Sequence, residues 1–192
     1  MSHKSQVLSG LVLAAAVVLS GCGSTSSPTS TTASRAPTIP FKSPALAGTV
    51  LPARYTCDGQ NVAPPLEWGA VPPGTAELAV FALGFKPAGP ANTLSVSVEW
   101  ALAGVNPKLH RLEPGALPQG AHLGLTSSRT HSYSICPPKG LAEQYQFELY
   151  ALPASARVTS NFTGLALLAS LHSAGATQSV PRGSFDAVYQ RR

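Results

Sequence analysis

Apolar and polar side chains alternate, or run apolar over strand length, in three parts of this chain. Glu77-Leu-Ala-Val-Phe-Ala-Leu83 is a short, nearly continuous apolar run, and Leu94-Ser-Val-Ser-Val-Glu-Trp-Ala-Leu102 alternates. Gln144-Tyr-Gln-Phe-Glu-Leu-Tyr150 alternates as cleanly. Period two sends successive side chains to opposite faces of a strand. It therefore predicts Tyr145, Phe147 and Leu149 on one face, with Gln144, Gln146, Glu148 and Tyr150 on the other. Pro/Gly-rich connections at Val71–Gly74, Lys86–Pro90 and Cys136–Gly140 break these runs. Helical spacing is clearest from Phe162 to Ala174, with Asn161 as N-cap and Leu165, Leu168 and Leu171 as an apolar stripe. Strands dominate and one helix comes late, so the predicted class is mainly β, a β-sandwich with short peripheral helices.

The N-terminus has a different character. Lys4 precedes an apolar run from Val7 to Leu19, followed by Leu19-Ser-Gly-Cys22. A charged start, a short apolar middle and small residues before a cut site describe an export signal over residues 1–21. The run is too short for a spanning helix. A cysteine directly after Leu-Ser-Gly matches the bacterial lipobox, whose cysteine is acylated on its thiol and becomes the new N-terminus; Cys22 is thus the expected lipid attachment site. Each buried acyl methylene adds ~0.8 kcal/mol, so two or three chains anchor firmly. Residues 22–40 are almost wholly Ser, Thr, Gly, Ala and Pro with Arg35 as the one charge, the composition of a flexible tether. Residues 41–192 remain for a single folded domain. The expected location is the extracytoplasmic side of a cell membrane.

Export changes the meaning of the cysteines. Beyond Cys22 only Cys57 and Cys136 remain. Outside the cytoplasm such a pair is either bridged, closing a loop of about eighty residues, or two buried thiols. Charge excludes more than it suggests. The formal net charge is +5, but no basic cluster precedes Arg191-Arg192, so no nucleic-acid footprint exists. His110, His122, His131 and His172 form no metal-ligand spacing, and no phosphate-cradling glycine loop is present, so no cofactor is expected. Ser127, Ser128 and His131 lack the strained turn that would mark a nucleophile. The domain reads as non-enzymatic.

Several fragments carry more when taken in order. They are Phe41-Lys-Ser-Pro-Ala-Leu, Leu51-Pro-Ala-Arg-Tyr-Thr-Cys-Asp-Gly59, Ala63-Pro-Pro-Leu-Glu-Trp68 and Pro72-Pro-Gly-Thr75. Trp100, Cys136-Pro-Pro138 and Tyr145-Gln-Phe-Glu-Leu-Tyr-Ala-Leu152 follow. This order resembles the phosphatidylethanolamine-binding protein family in its bacterial YbhB/YbcL, or Raf kinase inhibitor-like, branch. The resemblance runs from Phe41 to Gln190. It implies antiparallel sheets in a sandwich and a small anion-accepting pocket at one end. The pocket residues matched here are Asp58, Glu99, Trp100, Tyr133, Ser134, Pro137, Glu143 and Tyr145. Trp68, Trp100 and Tyr145 have core packing as the simpler role, and Asp58-Gly59 most simply makes a turn.

The pocket is also where the chain departs from the family. The usual Asp-Pro-Asp-Ala-Pro becomes Leu83-Gly-Phe-Lys-Pro87, His-Trp becomes Glu99-Trp100, and His-Arg-Tyr becomes Glu143-Gln-Tyr145. Carboxylates thus stand where the resemblance implies phosphate-receiving imidazoles. One like-charge pair at 4 Å costs ~4 kcal/mol at an effective dielectric near 20, so phosphate binding is expected to be lost or weakened. A carboxylate pair would instead accept a cationic or neutral small ligand, such as an amine, or a divalent metal ion held by Glu99 and Glu143. General acid/base chemistry is a further option. Alternatively both glutamates are solvated or paired with Arg54, Arg129 or Lys139, leaving a scaffold for protein contacts in the envelope. A retained phospholipid-headgroup site would need other donors.

Overall fold

The computed structural model describes residues 37–88, 93–175 and 180–192. Cys22, the signal over 1–21 and most of the 22–40 tether lie outside the described residues. Eight strands form two antiparallel sheets. The smaller contains β1 (Phe41–Lys42), β2 (Leu66–Trp68) and β5 (Arg111–Leu112) in the order β1-β2-β5. The larger contains β3 (Thr75–Ala88), β4 (Thr93–Val105), β6 (His122–Leu123), β7 (Ala142–Pro153) and β8 (Arg182–Gln190) in the order β6-β4-β3-β7-β8. The mainly β antiparallel sandwich is therefore as expected. All three predicted strands lie within β3, β4 and β7, and each observed strand is longer. Packing begins upstream of Phe41, because Ile39 is buried and its amide donates to the Arg182 carbonyl at 2.9 Å. Among the described residues no helix is long and apolar enough to cross a membrane.

The large sheet buries both faces, and the expected split of β7 between them holds. Its inner face carries Leu78, Val80, Ala82, Trp100, Leu102, Tyr145, Phe147 and Leu149 against Leu66, Trp68 and Phe41 of the small sheet side. Its outer face carries Ala79, Phe81, Leu83, Val98, Tyr150 and Leu152 beneath Leu168 and Leu171. Those leucines belong to α1 (Gly164–Gly175). Glu148 and Tyr150, on the face opposite Tyr145 as expected, are consequently buried at 4 % and 2 % exposure. The Tyr150 hydroxyl donates to Glu148 Oε2 at 2.8 Å, which supplies the donor a buried carboxylate requires.

The helix starts two residues later than its spacing suggested. Thr163, not Asn161, caps it, accepting the Ala166 amide on Oγ1 at 3.3 Å. Leu165 points to solvent at 56 % exposure, so Leu168 and Leu171 alone of the predicted stripe are buried. The reason is at Gly164, where a Cβ would lie 2.7 Å from Val98 Cγ1 and 2.8 Å from Ala101 Cβ. That close approach fixes which side of the helix meets the sheet.

Cys57 and Cys136 form a disulfide across a sequence separation of 79 residues. It ties the short 3-10 turn Ala53–Tyr55 and the loop after it to the Cys136-Pro-Pro segment, and the Cys57 amide reinforces this by donating to the Ile135 carbonyl at 3.0 Å. No cis peptide is present among the described residues, Pro137 and Pro138 included. Replacing both cysteines by serine is expected to lower unfolding free energy by ~2–5 kcal/mol in denaturant titrations, as for other long native loops. A loss under ~1 kcal/mol would mean that the hydrogen bonds hold these loops unaided.

Candidate functional site

The candidate site forms where β3, β4 and β7 run side by side. Gly84 faces Ser97 on one neighbour and Tyr145 on the other. A β-bulge in β4 then decides which side chains reach the inner face here. Ala82 pairs with Trp100 and Leu83 with Val98, leaving Glu99 without an opposite residue. The extra residue turns Glu99 onto the inner face beside Trp100, which strict alternation would forbid. Glu143 reaches the same place from β7 by ordinary alternation with Tyr145 and Phe147.

Both carboxylates converge over Gly84. A Cβ there would lie 3.1 Å from Glu99 Oε1, 3.1 Å from Glu143 Oε1 and 2.9 Å from Ser97 Oγ. Glu99 and Glu143 are buried at 9 % and 6 % exposure, so each needs compensation. The Ser97 hydroxyl donates to Glu99 Oε1 at 2.5 Å, and the Tyr145 hydroxyl donates to Glu143 Oε2 at 3.0 Å. The counter-charge is Lys86, whose Nζ lies 3.4 Å from Glu143 Oε1 and 3.8 Å from Glu99 Oε1. This corrects the expected partners. Arg54 Nε donates instead to Gln60 Oε1 at 2.7 Å, and Arg129 and Lys139 are exposed. Despite the ion pair, the buried Glu143 Oε1 has no hydrogen-bond partner among the described residues.

The remaining expected pocket residues separate into two groups. Trp100 and Tyr133 pack edge to face at 5.9 Å behind the carboxylates, and the Tyr133 hydroxyl donates to the Tyr55 carbonyl at 2.7 Å. Ser134 is tied to the site by its backbone, its amide donating to the Glu99 carbonyl at 3.1 Å, while its hydroxyl accepts from Asn61 at 3.3 Å. Burial, with Glu99 beside it, pushes the Tyr133 phenol well up. Burial and the adjoining Glu143 do the same for Tyr145, so both remain protonated donors. Asp58 and Pro137 instead belong to a clasp at the C-terminus. Tyr189 Oη donates to Asp58 Oδ2 at 2.7 Å, Arg191 Nε donates to Oδ1 at 3.0 Å, and Arg191 approaches the Pro137 carbonyl at 3.5 Å. The Tyr189 hydrogen bond, with the Arg191 guanidinium, holds the Asp58 carboxyl below its ordinary value.

Lys86, Gly84 and Ser97 are the site residues that alternation and turn signals did not identify. Lys86 falls where the sequence suggests a Pro/Gly-rich break, yet β3 continues through Ala88. Its one signal was its place in Leu83-Gly-Phe-Lys-Pro87, the segment that departs from the resemblance. A metal ion is poorly served here, since the ammonium already stands between the carboxylates. Among the described residues no three His, Cys, Asp or Glu side chains are grouped to hold one. Ser127 and His131 make no catalytic pair, because Ser127 Oγ accepts the Val98 amide at 2.8 Å and His131 Nδ1 meets the Leu123 carbonyl at 3.0 Å.

Comparison with known proteins bears on the whole domain. The model of the phosphatidylethanolamine-binding protein family matches residues 42–187. A Mycobacterium tuberculosis H37Rv protein named "Putative lipoprotein LppC" is 30 % identical over 192 residues, covering 91 % of this chain and 92 % of that one. Escherichia coli YbcL superposes with a TM-score of 0.64 at 26 % identity, over 80 % of this chain and 99 % of its own. CT736 of Chlamydia trachomatis gives 0.65 at 21 % identity, over 81 % and 99 %, which shows the fold. Sandwich topology, ordered motifs and these matches agree, and the chain belongs to the phosphatidylethanolamine-binding protein family.

Proposed function

We propose that this chain is a membrane-anchored, non-enzymatic binding protein, acylated at Cys22, whose cleft takes a small amine-bearing ligand in place of a phosphate group. The similarity to a protein named as a lipoprotein supports the anchor. The observation that carries the ligand class is Lys86. A primary ammonium already sits 3.4 and 3.8 Å from two buried carboxylates, so the cleft solvates the chemical group proposed as its ligand. Two carboxylates and one ammonium leave a formal excess of one negative charge. Glu143 Oε1 still needs a donor, and a ligand ammonium brings three. Lys86 is 46 % exposed along its side chain, so its departure for solvent requires no repacking of the core. A phosphate would meet that negative excess, at ~4 kcal/mol per like-charge contact near 4 Å.

Titration calorimetry on the full chain separates this reading from a closed cleft that serves as a scaffold. Ethanolamine and phosphoethanolamine should bind through the amine, while inorganic phosphate stays silent. Lys86→Met should tighten amine binding roughly tenfold, because it removes the internal competitor and exposes about one further unit of attraction. Glu99→Gln with Glu143→Gln should abolish it. Silence of every amine against both the native chain and Lys86→Met supports the scaffold, and measurable phosphate binding sinks the charge argument.

Two stability measurements test the geometry that holds the acceptors together. Gly84→Ala forces a methyl between the carboxylates and displaces the Ser97 hydroxyl, so a loss of ~1–3 kcal/mol is expected in chemical denaturation. Tyr145 has its phenol pKa raised in the folded state. Its contribution is therefore complete below the ordinary tyrosine value and declines as pH rises beyond it. Unfolding free energy should fall with pH above about 10, with a shallower slope in Tyr145→Phe.

A further inference from the structure

At the other end of β3 and β4 from Gly84, a second set of polar groups meets. Glu77 stands near the start of β3 on the outer face, in line with Ala79 and opposite Leu152. It is 7 % exposed, and its Oε1 accepts the Val158 amide at 2.9 Å. That bond ties the segment after the short turn Ala154–Ala156 to the sheet. It also brings Arg157, the neighbour of Val158 in the chain, to the same rim.

Between these groups and the end of β4 lies a cavity of about 400 Å³, whose lining includes Glu77, Gly104, His122, Arg157 and Val158. That is the size of a small-ligand site. β4 makes room for it with an extra residue between Leu102 and Val105. Gly104 lies there at φ +76°, and a Cβ on it would fall 2.7 Å from the Gly120 carbonyl oxygen and 3.2 Å from His122 Nε2. The missing side chain lets that carbonyl and the His122 ring close one wall.

The lining holds more polar groups than it pairs. A carboxylate buried as deeply as Glu77 calls for donors to both oxygens, yet Oε2 has none among the described residues. The sealed side-chain atoms without a partner are Trp68 Nε1 and Glu143 Oε1, so Glu77 Oε2 keeps access through the cavity it lines. Arg157 is exposed and joins no ion pair among the described residues, with Glu77 or any other carboxylate. One anion and one cation therefore border a single cavity without engaging each other.

We propose that this cavity binds a small zwitterion, its ammonium on Glu77 and its carboxylate on Arg157, the chemistry of a free α-amino acid. Charge selects that ligand. Glu77 and Arg157 sum to zero, so a simple anion meets the carboxylate and a simple amine meets the guanidinium. A zwitterion satisfies both. The ammonium brings three donors to Glu77 Oε2, and the planar guanidinium matches a carboxylate through two parallel hydrogen bonds. The His122 ring adds a donor or an acceptor beside them. The Glu99–Glu143 cleft differs on each count, since it opens on the inner face and carries a negative excess.

Glycine is the simplest probe. Titrated into the full chain in detergent, it should shift the amide resonances of Gly104, Gly120 and Val158 to saturation. Acetate and methylamine should each bind there more weakly by about tenfold or more, because each makes only one of the two charge-assisted contacts. Arg157→Met should weaken glycine by a similar factor with an unchanged unfolding midpoint, since the side chain it replaces is exposed. Glu77→Gln should do the same while keeping an oxygen for the Val158 amide. Glycine also carries the ammonium proposed for the Glu99–Glu143 cleft, so shifts at Gly84 and Ser97 are followed separately and should be indifferent to Arg157→Met. No glycine-dependent shift at Gly104, Gly120 and Val158, equal affinity for acetate or methylamine, or indifference to Arg157→Met overturns the proposal.

Discussion

Everything distinctive about the cleft follows from placing two buried carboxylates on neighbouring strands of one sheet. Burial of a charge is tolerated only with a partner and with hydrogen bonds to the remaining lone pairs. Glu99 and Glu143 meet those demands through Lys86, Ser97 and Tyr145. The central strand must then present no side chain between them, which explains Gly84. The bulge at Glu99 has the same origin, because without it the carboxylate would face α1 and the aliphatic layer beneath it. Five residues on three strands are therefore one electrostatic unit. A change at any of them leaves another without its partner.

That coupling also explains how the charges are distributed over the sheet. The cation stands on β3 and the anions on β4 and β7, and the three meet at one place. Together they supply the compensation that two buried carboxylates need. The ammonium remains half-exposed, so the set keeps one charged group in contact with solvent.

How far the sequence exposes this depends on the length scale of each cause. The long strands announced themselves through local alternation, and the ordered motifs pointed to the sandwich. Cys57 and Cys136 were legible as a pair because export leaves two thiols few fates. Lys86 was hidden by its neighbours Pro87 and Gly89, which signal a break, while pairing with β4 carries β3 past it. The bulge was hidden because Val96, Val98, Trp100 and Leu102 alternate without interruption, and only pairing with β3 shows the slip. The burial of Glu148 and Tyr150 was hidden for a related reason: α1 covers a face that alternation marks as polar. Asp58 was misplaced because its partners lie at the far C-terminus.

The carboxylate site rests on the hairpin formed by β3 and β4. Its inner face carries Gly84, Lys86, Ser95 and Ser97, and its outer face carries Phe85, Leu94 and Val96. Pairing with β3 from Thr93 to Val98 fixes where Ser97 stands, and the bulge just beyond turns Glu99 onto the same face. The Ser97 hydroxyl and the Lys86 ammonium therefore meet one carboxylate because two strands and one extra residue place them there.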